Sequence, residues 1–133
     1  MGNQSFEVAV QKPSRFGYRA IVLPEDVYDG DTVTCDGIDL GFGVWLRRQK
    51  MRLVGVDTPE MRGASRRQAI IARDFVRGLL PEDGEVLIKS HKARERDKWG
   101  RWLCELWIEK SPEQLICVND ELLRAGHATR YMG

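Results

Sequence analysis

The chain has 133 residues, 42% of them hydrophobic, with 21 lysines and arginines against 20 aspartates and glutamates. That length supports one domain with a substantial core, and the near-neutral charge excludes bulk electrostatics as a source of nucleic-acid affinity, so any basic patch must be local. No run is apolar enough to span a bilayer, Met1–Lys12 does not read as a secretion signal, and three widely spaced cysteines, Cys35, Cys104 and Cys117, suit reduced core positions better than a disulfide framework or zinc site.

Residues 1–16 are expected to form an arm or edge strand, with the folded domain over 17–133. Tyr18–Leu23 reads as the first strand, stopped by Pro24. Asp29-Gly30 turns the chain, and Asp31 enters a β-branched strand, Thr32–Leu40. Turn chemistry accounts for Asp29; Asp31 lies past the turn and needs another reason. Gly41-Phe42-Gly43 is a hairpin bend, and Val44–Val56 returns as one long strand with a basic middle at Arg47, Arg48 and Lys50. Ser65 with Gln68 forms a capping-box pattern. The helix it starts places Ala69, Ala72, Phe75, Val76 and Leu79 on one face and ends before Pro81. Glu85–His91 and Trp102–Ile108 read as strands separated by a charged turn, and Asn119 is expected to cap a short helix, Asp120–Ala125, stopped by Gly126. Five strands, with one helix between strands 3 and 4 and a short C-terminal helix, fit an α+β, mainly β, OB-fold barrel.

The stretch from Arg52 to Glu60 concentrates the chemistry. Leu53, Val54 and Val56 favour a buried strand, and Thr58-Pro59 ends it. Asp57, Thr58 and Glu60 are therefore crowded where scaffold gives way to loop, a donor set for a hard cation, while arginine suits a phosphate. Side chains alternate faces along a strand, so Arg52 and Asp57 should point in opposite directions. A shared site requires an irregularity, and Gly55 is the natural place for a bulge.

Four segments then stand in order: Asp29-Gly30-Asp31-Thr32, Arg52 with Asp57-Thr58-Pro59-Glu60, Asp97-Lys98-Trp99-Gly100-Arg101, and Val118-Asn119-Asp120-Glu121-Leu122. Together they resemble the staphylococcal nuclease (thermonuclease-like) family over roughly Tyr18 to Tyr131. The resemblance implies an OB barrel that hydrolyses DNA or RNA with calcium. It implies Asp31, Asp57 and the Thr58 carbonyl as calcium ligands, Glu60 as the carboxylate that orients or deprotonates water, and Arg52 and Arg101 as phosphate clamps. Lys98 and Trp99 match phosphate-contacting positions, with a tryptophan where tyrosine is common, and Tyr131 is left as the aromatic for the substrate base. The hairpin before Arg52 is longer than in the founding member.

The expected partners are DNA, RNA or both, with no membrane and no small-molecule cofactor, and the expected setting is the cytoplasm unless a leader has been removed. Two rival readings belong to other classes. One is a noncatalytic OB module that binds single strands or a protein. The other is a structural subunit whose site is closed by a partner or by the Met1–Arg15 arm.

Overall fold

The computed structural model describes residues 17–91 and 100–131. The strands are β1 (Gly17–Ile21), β2 (Val27–Asp29), β3 (Thr32–Gly41), β4 (Val44–Leu53), β5 (Val56–Asp57), β6 (Glu85–Ser90), β7 (Trp102–Ser111), β8 (Gln114–Cys117) and β9 (Thr129–Arg130). The helices are α1 (Arg66–Leu79) and α2 (Val118–Arg124). The expected arm, the charged turn over Lys92–Lys98, and both Lys98 and Trp99 fall outside the described residues.

Five strands close into a ring, β1–β6–β7–β4–β3 and back to β1. β4 and β7 run parallel through Met51–Leu53 and Trp102–Cys104, and the other ring pairs are antiparallel. This is the expected OB barrel, with β2 added to β3, β8 added to β7, and β5 paired with β9. Alternate residues point inward: Val33 and Cys35 from β3, Val86 and Ile88 from β6, and Cys104, Leu106 and Ile108 from β7 are all buried. Each fully buried valine, leucine or isoleucine contributes roughly 1.5–3 kcal/mol.

Helix α1 packs through the expected stripe. Ala69, Ala72 and Val76 are buried, and Phe75 and Leu79 pack against the core. Among the described residues no helix is long and apolar enough to cross a membrane. All three cysteines are unbridged and buried, and burial raises the thiol of Cys35 to about 12 and that of Cys117 to about 11.

Three local expectations are corrected. Ser65 makes no side-chain cap; its Oγ donates to the carbonyls of Glu60 at 2.8 Å and Arg62 at 3.1 Å, so it ties down the loop before the helix. Asn119 lies inside α2 and does not cap it, for Cys117 holds the cap position. The Asn119 amide instead donates to the carbonyls of Val54 at 2.9 Å and Cys104 at 3.3 Å and accepts the Leu106 N–H at 3.0 Å. Finally, Val44–Val56 is not one strand: β4 stops at Leu53, and β5 starts at Val56 on a different partner.

Candidate active site

The interruption after Leu53 builds the site. Gly55 has φ +82°, a left-handed conformation that glycine adopts without a Cβ clash. The irregularity predicted there is present as a chain break between two strands, not as a bulge within one. Asn119 holds one side of it through Val54, and the Tyr131 N–H donates to the Gly55 carbonyl at 2.9 Å. The turn brings Asp57 back beside Arg52, with Nη2 to Oδ1 at 3.5 Å.

Arg52 is 9% exposed and firmly held. Its Nη1 donates to the carbonyls of Leu53 at 3.0 Å and Val56 at 2.8 Å and stands 3.4 Å from Asp31 Oδ2. Its Cζ lies 5.2 Å from the centre of the half-exposed Tyr131 ring, within cation–π range. The guanidinium thus bridges the carboxylates of Asp31 and Asp57.

Asp31 is delivered by the β2–β3 turn. A Cβ on Gly30 would come within 2.7 Å of Thr58 Cγ2 and 3.1 Å of Ala72 Cβ, so only glycine lets this backbone press so closely onto Thr58 and α1. In that position Asp31 Oδ2 accepts the Thr58 N–H at 2.9 Å, and the Asp31 carbonyl accepts the Leu53 N–H at 2.9 Å. Arg101 joins from the start of β7: its Nη1 donates to Thr32 Oγ1 at 3.3 Å, and that hydroxyl donates to Asp31 Oδ1 at 3.1 Å.

The structure therefore gathers Asp31, Arg52, Asp57, Thr58, Arg101 and Tyr131. Glu60 lies in the adjoining loop with an exposed side chain. Two contributors escaped the sequence reading. Thr32 couples Arg101 to Asp31, and its one visible signal is a hydroxyl directly after the aspartate. Asp29 is more than a turn residue. Burial, then the hydrogen bond and charge of Asp31, raise its carboxyl to about 7. Burial also pushes Asp31 upward, but hydrogen bonds from Asp29 and the Thr58 amide, the Arg52 charge and the Thr32 hydroxyl outweigh it, so Asp31 falls below its ordinary value. Protonation of the pair is thereby biased toward Asp29 and ionisation toward Asp31.

Among the described residues no three His, Cys, Asp or Glu side chains converge on a metal-holding geometry. A hard cation at this site would rest on two carboxylates, Asp31 and Asp57, and the Thr58 carbonyl. That all-oxygen set suits calcium, most of whose six to eight ligands would then be water. Thr58 Oγ1 is itself buried and without a hydrogen-bond partner among the described residues.

Residues 50–132 match the family model described as staphylococcal nuclease homologue. The chain belongs to that family. The nuclease-homologue match includes Arg52, Asp57, Thr58, Glu60, Arg101 and Tyr131 and begins after Asp31, whose place in the site rests on the geometry above. An uncharacterised protein of Methanocaldococcus jannaschii is 29% identical over 125 residues, covering 80% of this chain and 56% of that protein. The chain thus spans little more than half the length of this relative. The match points to a nuclease-like or nucleic-acid-binding OB fold.

Proposed function

We propose that this chain is a calcium-dependent nuclease that hydrolyses phosphodiester bonds of DNA, RNA or both. The observation that carries the reading is the buried Arg52 guanidinium bridging Asp31 and Asp57 while Arg101 is tied to the same Asp31 through Thr32. Two planar cationic forks converging on a patch of hard oxygen donors suit a phosphodiester far better than a generic surface.

In this reading Asp31, Asp57 and the Thr58 carbonyl hold the ion, which when bound offsets charge developing on the phosphoryl oxygens. Arg52 and Arg101 donate to nonbridging oxygens. Because Arg52 is fixed before substrate arrives, little reorganisation accompanies the reaction, and donors of this kind are each worth roughly 2.7–4 kcal/mol of barrier. Glu60, exposed in the loop, holds the attacking water in line and accepts its proton. Tyr131 offers a half-exposed ring beside Arg52 for the base next to the scissile phosphate.

A second reading, a noncatalytic OB module for single strands, is favoured by one observation: among the described residues no three His, Cys, Asp or Glu side chains gather where a metal could be held. One assay separates the two. Labelled single-stranded DNA and RNA are incubated with the protein in calcium and then in excess chelator. The nuclease reading predicts fragments in calcium alone; retention without cleavage in both conditions favours the binding module.

A further inference from the structure

The strand that carries Arg52 runs on from the candidate site as the rest of β4. Val33, Cys35, Met51 and Leu53 are buried in the core, so Thr32, Thr34, Lys50 and Arg52 alternate onto the outer face. Lys50, paired across the hairpin with Thr34, is exposed, and among the described residues no carboxylate pairs with it. Strict alternation would turn Trp45, five residues back, to the opposite face. It does not, because Arg48 between them has φ +54°, a left-handed conformation that residues with a Cβ rarely adopt. Beyond Arg48, Leu46 pairs with the buried Ile38 and both line the barrel mouth, which leaves Trp45 on the outer face with Lys50. Ion pairs from Arg48 Nη1 to Asp26 at 3.1 Å and Asp36 at 3.3 Å hold the kink. A Cβ on Gly37 would meet Trp45 Cε3 at 3.0 Å, so glycine lets the indole rest against the backbone while 46% of the residue stays open to solvent.

We infer that the outer face of β4 from Arg52 to Trp45 is a track for the single strand leading away from the scissile phosphate, with Lys50 on the next phosphate and Trp45 as a platform for a base. The inference rests on the phosphodiester reading of the Arg52 site and extends it. Three observations select a single-stranded nucleic acid as the occupant. The track is continuous with the candidate site, because Lys50 and Arg52 are neighbours on one face, about 6.6 Å apart along the strand, a spacing that successive phosphates of an extended chain can match. Its charge is complementary: Arg47 and Arg48 answer Asp36 and Asp26, whereas Lys50 is a cation that no described carboxylate answers. Its far end is a half-exposed indole, and an unpaired base offers the π-face that stacks on such a ring. The seven residues from Arg52 to Trp45 span about 23 Å, room for about four nucleotides, the low end of what one OB fold binds.

The test uses the full chain and reads binding in excess chelator, so it does not depend on cleavage. Oligothymidylates of two and of eight nucleotides are titrated at low salt and followed by amide and indole NMR shifts. The track predicts that the octanucleotide shifts the Lys50 amide and the Trp45 indole N–H, whereas the dinucleotide shifts only groups around Arg52 and Thr32. Lys50→Ala and Trp45→Ala should each weaken octanucleotide binding at least about fivefold. Lys50→Ala should also reduce the salt slope of log affinity by about 0.7. Trp45→Phe keeps a ring and should keep most of the affinity. Dinucleotide affinity should be unchanged in all three variants. Octanucleotide affinity equal to wild type in both alanine variants overturns the track and leaves the Arg52 site standing. So does a Trp45 indole that the octanucleotide does not shift, which leaves that face to a protein partner. Equal losses for both lengths assign the two side chains to the fold and also overturn the track. A wild type that binds neither strand overturns the track together with the phosphodiester reading.

Discussion

Arg52 Nη2 stands 3.5 Å from Asp57 Oδ1 although the two lie five positions apart in what reads as a continuous strand. The chain achieves this by ending β4 at Leu53, turning through Gly55 and starting β5 on a new partner. The pairing is the condition for a shared phosphate site, and it depends on backbone hydrogen bonds as much as on charge.

Arg52→Lys should therefore damage fold and activity together. An ammonium cannot serve the carbonyls of Leu53 and Val56 while also spanning Asp31 and Asp57. Buried acceptors left unpaired cost about 1–3 kcal/mol. Denaturant unfolding checks the stability loss, and the cleavage rate should fall at least about 100-fold. A stability equal to wild type would show that the two carbonyls do not depend on this side chain.

Gly30→Ala should break the approach of Asp31 to Thr58. The added methyl meets Thr58 Cγ2 at 2.7 Å, and overpacking of this kind costs about 1–3 kcal/mol. Thr58→Ser removes the colliding methyl, so the double variant should recover part of the loss. The recovery appears as a positive coupling in a double-mutant cycle read by chemical denaturation. Additive effects would mean that the two positions are not in contact.

Asn119→Ala should destabilise the barrel by about 2–4 kcal/mol, because it removes the Asn119 partner of the Val54 carbonyl and of the Leu106 N–H and leaves the Cys104 carbonyl with the Val54 N–H alone. The loss should be accompanied by faster amide exchange at Gly55, across the turn that positions Asp57. An unaltered unfolding midpoint would show that these three hydrogen bonds do not stabilise the barrel.

These residues show what the sequence made legible and what it hid. The barrel could be read because alternation over Thr32–Leu40, Glu85–His91 and Trp102–Ile108 is local information, as is the α1 stripe. The parity conflict between Arg52 and Asp57 likewise exposed the break at Gly55. Asn119 was misread because asparagine beside a helix start has a strong local explanation, whereas its true partner Val54 lies 65 residues away. Asp29 and Thr32 were hidden for the same reason: turn and strand propensities sufficed for them, and their roles appear only once Asp31 is buried beside them. The left-handed Arg48 has no signature in composition or period.

The carboxyl pair sets a pH dependence for the protein without added metal. Asp29 is raised from 3.8 to about 7 on folding, so its contribution is complete below 3.8 and is lost as pH rises through about 7. Asp31, lowered on folding, acts in the opposite sense, and its contribution is lost on acidification. Stability measured in chelator should thus fall between about pH 4 and pH 7, and Asp29→Asn should flatten that limb. An unchanged slope in the variant would place the proton elsewhere.

The central claim is that Asp57 and Arg101, brought together with Arg52 and Asp31 from separate segments, act on one phosphodiester. Initial rates of single-strand cleavage in saturating calcium test it most directly, compared among wild type, Asp57→Asn and Arg101→Ala, with unfolding curves measured in parallel. The account predicts that each substitution lowers the rate by about 100-fold or more while stability shifts by less than about 1 kcal/mol. Wild-type rates in both folded variants would contradict it.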